Sequence, residues 1–173
     1  MAKFTPKQFI QQCNSMARTL PSAITEAIMD SAIIAENHFD ENFEKGGFQG
    51  DAFRKWAPNA PATVRYKNHS KVLLGKTGNL RKSKKVFMGN ISGLRSASIW
   101  YSSLGKNGVD YAPLMQNGFT TSPKSISGDG DKVGAEVPAR PFIGGSKKLD
   151  GRIHMTLSKR IKMVFTRNYT IGR

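Results

Sequence analysis

Two prolines three residues apart, in the run Val137, Pro138, Ala139, Arg140, Pro141, Phe142, Ile143, Gly144, Gly145, constrain this chain more than any other feature. Each pyrrolidine ring fixes φ, and each pushes the residue before it, Val137 or Arg140, out of the helical region. The run is therefore an extended strap. Extended backbone puts Arg140 and Phe142 on one side and Ala139 and Pro141 on the other. Phe142 and Ile143 are expected to anchor the strap to a core while Arg140 is held in a fixed direction, which suits a contact surface better than a reaction centre.

Around the strap, hydrophobic periodicity predicts an α+β fold: a long N-terminal helix and a C-terminal helix packed on a small antiparallel sheet, with extended loops. At 173 residues the chain fits a single domain, residues 1–173. Residues 1–20 read as an N-terminal helix or arm, with the helix over Lys7 to Leu20 ended by Pro21. A second helix runs from Ser22 to about Phe43, with Ile24, Ile28, Ala32, Ala35, Phe39 and Phe43 on one face and Gly46 and Gly47 as its stop. Residues 46–68 show no periodicity, and Phe48, Phe53, Trp56 and Tyr66 are expected to pin this loop to a surface.

Further on, Thr77 is placed to cap one helical turn that inserts Leu80 into the core. Lys84 to Met88 and Ala97 to Ser102 are strand candidates in a hairpin, with Ile99 and Tyr101 alternating against Ser98, Trp100 and Ser102. Asp110 to Gly118 reads as a short helix capped by Asp110, with Pro113 in its first turn and Gly118 as its stop. The stretch 119–135, rich in Ser, Gly, Thr and Asp, is expected to be a mobile loop. A basic amphipathic helix over Lys147 to Phe165 carries Leu149, Ile153, Leu157, Ile161 and Val164 on one face, and residues 166–173 read as a C-terminal arm.

The chain offers little for chemistry. Its three histidines, His38, His69 and His154, fall in different elements without a ligand set at metal-binding spacing, and each is expected to be a satisfied surface or partly buried imidazole. Gly75, Lys76, Thr77 and Gly78 lack the leading glycine of a phosphate loop and read as a cap and turn. No Gly-x-Ser-x-Gly elbow is present, and Cys13 has no identifiable base nearby. The acids between Glu36 and Glu44 look like the solvated face and end of one helix. No catalytic residue, cofactor or metal is expected, and the chain reads as a non-enzyme. One cysteine and no long apolar run point to a reducing cytoplasm and to neither secretion nor membrane insertion.

Net charge is +15 and unevenly placed. Residues 1–51 carry seven acids against four bases, Ala52 to Val109 carry twelve Lys or Arg and no acid, and only Asp150 opposes the bases after Arg140. Such asymmetry suits head-to-tail contact between copies, a basic face turned to nucleic acid, or simply a solvated basic surface. The basic residues Lys71, Lys76, Arg81, Lys82, Lys84 and Lys85 are the candidates for facing DNA, through sequence-independent phosphate contact.

Five motifs follow one another: a long N-terminal helix ending in Phe43, Trp56-x-Pro58, Leu74-x-x-Thr77-Gly78-x-Leu80-Arg81-x-Ser83, Asp110-Tyr111-Ala112 to Gly118, and Pro138-Ala139-Arg140-Pro141-Phe142. This succession, over roughly residues 20 to 165, resembles the virion morphogenesis, or tail-completion, family of tailed bacteriophages. The resemblance implies a small structural protein that forms a closed ring, expected as a hexamer, at the head–tail junction of the virion. There it completes the tail and joins it to the capsid, against neighbouring neck, tail-terminator or tail-tube proteins and in possible non-specific contact with genomic DNA. Assembly would take place in the bacterial cytoplasm, without a membrane. Trp56, Tyr111, Arg140 and Phe142 are the candidate interface residues, with Arg140 offered to a neighbour or to the family's internal carboxylate contacts. Where relatives often show a histidine after Tyr111, this chain has Leu114, Met115 and Gln116.

A basic nucleic-acid-binding protein is the competing reading, with the block from Arg54 to Lys106 as its face. A small hydrolase built on the acids from Glu36 to Glu44 is a weaker third.

Overall fold

A computed structural model describes residues 5–75, 78–91, 94–105, 108–121 and 135–170. The fold is α+β, with a long N-terminal helix, a C-terminal helix and small antiparallel sheets. Helix α1 spans Pro6–Lys45 without interruption. It opens on a reciprocal cap in which the Thr5 N–H donates to Gln8 Oε1 at 2.9 Å and the Gln8 N–H donates to Thr5 Oγ1 at 3.4 Å.

Pro21 therefore lies inside α1 and does not end a helix, contrary to the sequence expectation. The ring deletes the N–H that would bond the Ala17 carbonyl, while hydroxyls around it bond other carbonyls of the helix: Thr19 Oγ1 donates to Ser15 O, Ser22 Oγ to Thr19 O and Thr25 Oγ1 to Pro21 O, all within 3.0 Å. At the far end Gly46, at φ +66°, lets the chain leave the helix where expected.

Residues 46–68 are not structureless. Strands β1 (Gly47–Gln49) and β2 (Phe53–Lys55) pair antiparallel with Phe48 opposite Arg54, and helix α2 spans Pro61–Lys67. Proline at the start of α2 and Asn68 in the left-handed region after it delimit that helix. Of the four aromatics expected to pin this segment, only Trp56 is buried; Phe53 and Tyr66 are exposed.

Helix α3 is the single turn Asn79–Lys82 with Leu80 buried. Its N-cap is Gly78, not Thr77, and Thr77 lies outside the described residues. Strands β3 (Lys84–Ile91) and β4 (Leu94–Tyr101) form the expected hairpin, longer at both strands than predicted. Helix α4 (Ala112–Asn117) stops at Gly118.

Phe119–Thr120 is strand β5, paired with β6 (Glu136–Val137), so both ends of the expected mobile loop are ordered. Residues 122–134 lie outside the described residues. Helix α5 runs Lys147–Thr170, so Thr166 to Thr170 continue the helix instead of forming an arm.

Contacts divide the chain into two compact units. The first comprises Met1–Ala35, Val86–Ser98 and Leu149–Arg173. In it Ala27, Ala32, Leu149 and Val164 are buried, and Arg160 of α5 reaches Asp30 and Glu26 of α1. The second comprises Glu36–Lys85 and Ile99–Lys148. Its core joins Phe43, Trp56, Leu73, Leu80, Tyr101, Ala112 and Phe142, with Ile99, Tyr111, Met115 and Ile143 packed against them.

Candidate functional site

The strap and the residues that hold it form the most organised part of the second unit. Phe142 is 1% exposed and stacks with Phe43 and Tyr101 at ring-centroid separations of 5.5 and 5.1 Å. An extended segment cannot satisfy its own backbone, so its polar groups need partners from elsewhere. Asn42 Nδ2 donates to the Phe142 carbonyl at 3.0 Å, and Gln116 Nε2 donates to the Ile143 carbonyl at 2.8 Å. Gln116 Oε1 accepts from the Phe142 N–H at 3.0 Å, and the Trp56 indole N–H donates to the Pro141 carbonyl at 2.7 Å. The Arg140 N–H reaches the Met115 carbonyl at 2.9 Å.

Gly118 lets the strap pass this close. A Cβ at that position would sit 2.7 Å from the Ala139 nitrogen and 2.9 Å from the Val137 oxygen, and its φ is +77°. The residue is thus both helix stop and contact point.

Arg140 is buried at 7% exposure. Its Nε and Nη2 donate to the carbonyls of Ala57 and Pro58 at 3.3 and 3.2 Å, locking the strap to the Trp56-x-Pro58 loop. The expected carboxylate contact is absent: among the described residues no carboxylate pairs with this guanidinium, and burial lowers its pKa. The side chain lies on the same side of the strap as Phe142, and its guanidinium lines a pocket.

Tyr111 is half-buried, packs on the same core and lines a pocket of about 830 Å³ together with Arg140, Lys67, Leu73 and Met115. The four candidate interface residues, Trp56, Tyr111, Arg140 and Phe142, thus meet around one core.

The acids of the first third of the chain are paired within it. Arg81 pairs with Glu44 at 2.8 Å and Asp40 at 3.6 Å, and its pKa is raised by the hydrogen bond it donates to Glu44 and by both carboxylates. Lys84, whose side chain is 13% exposed, bridges Glu36 and Asp40 at 2.9 and 3.0 Å. Glu26 and Asp30 hold Arg160, Asp51 holds Lys147, and Glu41 holds Lys45. All seven acids of residues 1–51 are therefore in intrachain ion pairs, and the acids from Glu36 to Glu44 are not merely a solvated face. Of the candidate DNA-facing residues, Arg81 and Lys84 are turned onto α1, Lys71, Lys82 and Lys85 are exposed, and Lys76 lies outside the described residues.

His38 is fully buried, deeper than expected, with Nε2 3.1 Å from the Gln49 carbonyl. Among the described residues no group of three or more His, Cys, Asp or Glu is placed to hold a metal ion, and no helix is long and apolar enough to cross a membrane. Sequence reasoning missed Asn42 and Gln116 as strap holders. The available signal was an amide side chain on an otherwise apolar helix face, as Asn42 is beside Phe39 and Phe43.

Compared with known protein families, characterised proteins and solved structures, the chain finds no match.

Proposed function

We propose that this chain is a structural assembly subunit of a tailed bacteriophage, acting as a closed ring at the head–tail junction to complete the tail and join it to the capsid. One observation carries the reading. The motif segments on which the resemblance rests, scattered from Phe43 to Phe142, converge on one another: Trp56 binds Pro141, Arg140 binds Ala57 and Pro58, and Phe43, Leu80, Ala112 and Phe142 share one core. Segments that carry the resemblance in sequence also interlock in space, which supports reading them as one unit. The most organised polar groups in that unit serve to hold backbone, which fits contact and assembly better than catalysis.

Light scattering on the purified chain, with proteomics of purified particles, tests the proposal. A defined oligomer that enters virions is expected. A monomer absent from virions overturns it.

A second reading, a nucleic-acid-binding protein, is favoured by the net charge of +15 with Lys71, Lys82 and Lys85 exposed. Backbone-directed binding would weaken steeply and log-linearly with salt. Titration of duplex DNA across salt concentrations reads this directly, and salt-independent or absent binding excludes it.

A further inference from the structure

The pocket beside the strap is lined by two cations with no ion-pair partner among the described residues. It lies within the second unit, between α2, the turn before α3, α4 and the strap, and has a volume of about 830 Å³. Arg140 and Lys67 both line it. Arg140 spends Nε and Nη2 on two carbonyls, and a guanidinium carries five N–H donors, so Nη1 and one N–H of Nη2 remain without a partner among the described residues. Lys67 has neither ion pair nor hydrogen bond among the described residues. Burial and the nearby Arg140 lower its pKa. Glu136 also lines the cavity, is exposed, and forms no ion pair with either cation among the described residues. The other walls are largely apolar, from Leu73, Tyr111 and Met115.

Two cations held close together in a partly dry pocket are costly unless an anion joins them, and a planar carboxylate matches the free edge of a guanidinium. We infer that this pocket receives a segment of a different protein chain, in which a Glu or Asp side chain bonds Arg140 and Lys67 while a flanking apolar residue packs on Leu73, Tyr111 and Met115. The apolar walls favour a peptide over a nucleic-acid backbone, which would bring phosphates without an apolar body. A second copy of this chain has few acids to offer: of its twelve, seven are in ion pairs and Asp110 is engaged by backbone N–H groups, which leaves Asp129, Asp131, Glu136 and Asp150. The inference goes beyond the assembly reading and does not depend on where in a particle the chain works.

The test uses the full chain with methyl-labelled methionine and the probe acetyl-Leu-Glu-Leu-amide, followed by NMR at the Met115 methyl and the Tyr111 ring. Saturable shifts at both residues are expected. Affinity should fall about tenfold for the matching Gln peptide and about tenfold for the Lys67→Met protein, whose fold is checked by its melting curve. Equal affinity for the Glu and Gln peptides overturns the inference, as does the lack of saturable shifts at millimolar peptide. Displacement by an equal concentration of inorganic phosphate overturns it in favour of a phosphate site. Because the Glu and Gln peptides are compared on the unaltered chain, the result stands even if Lys67→Met does not fold.

Discussion

The Trp56 indole N–H donates to the Pro141 carbonyl at 2.7 Å across 85 residues of sequence, and this bond ties the loop after β2 to the strap. The ring itself is 4% exposed and meets Phe43 edge-on at a centroid separation of 5.8 Å. Packing and hydrogen bonding are therefore separable at this residue. Trp56→Ala should cost roughly 3–5 kcal/mol by removing the ring. Trp56→Phe keeps much of the ring but leaves the Pro141 carbonyl without this donor, and should cost roughly 1–3 kcal/mol. Urea unfolding of the two variants measures the difference, and equal losses would mean that the hydrogen bond carries most of the effect.

Gly118 and Gly108 both have a positive φ, +77° and +76°, but different surroundings. A Cβ at Gly108 meets nothing within 4 Å, whereas at Gly118 it collides with the strap backbone. Gly108→Ala should therefore cost only the left-handed conformation, about 1 kcal/mol. Gly118→Ala should cost that and several kcal/mol more, or expel the strap, because backbone cannot move aside as a side-chain tip can. Thermal melts of the pair read the contrast, and similar shifts in Tm would refute the close approach.

These two residues also mark how far the sequence could be read. The stop at Gly118 was visible, since glycine after a short helix has a local cause; its contact with Ala139 was not, because nothing local encodes a neighbour that far along the chain. The same division runs through the fold. The apolar face from Ile24 to Phe43 and the alternation of Ile99 and Tyr101 follow from periodicity, and the burial of Leu80 and Phe142 from a local turn and from the proline-fixed strap. Pro21 reads as a helix end on local propensity alone, whereas α1 runs through it. Pro61 and Asn68 did announce α2, but the short alternating Gly, Pro and Asn segments around them resembled a loop. At the site, the strap's extended shape was dictated by its prolines. The partners of Arg140 were not, because backbone carbonyls leave no residue-type signature.

Asp110 Oδ1 accepts N–H groups from Ser103 at 2.9 Å and Ala112 at 3.0 Å, tying the end of the β4 segment to the start of α4. The hydrogen bonds from Ala112 and then Ser103 hold its carboxyl below the usual range. A folded-state value depressed below the unfolded one gives stability that is present above the unfolded pKa and lost as pH falls through the folded pKa. Acidification below the ordinary carboxylate range should therefore loosen this junction. Carbon-detected NMR titration should find the Asp110 midpoint below that of an unperturbed aspartate, and Asp110→Ala should flatten the acid limb of stability against pH. An ordinary midpoint would rule out the two-amide arrangement.

Tyr101 points its ring into the core at 6% exposure, yet its hydroxyl is sealed from solvent without a hydrogen-bond partner. Burial, then the charges of Asp40 and Glu36, push its pKa up, with Arg81 opposing them. Because the folded value is raised, the neutral phenol's contribution is complete below the unfolded pKa of about 10 and is lost as pH rises toward the folded value. The fold should therefore lose stability in alkali as unfolding releases a phenol that can ionise. Tyr101→Phe keeps the ring contacts with Phe43 and Phe142 and removes a polar group whose desolvation nothing offsets, so it should be neutral or stabilising by about 1 kcal/mol near neutral pH. It should also remove part of the alkaline loss. Chemical unfolding of both proteins at neutral and alkaline pH decides the matter, since a clear destabilisation by Tyr101→Phe at neutral pH would mean that the hydroxyl has a partner after all, most simply a buried water shared with the similarly sealed Asp40 Oδ1.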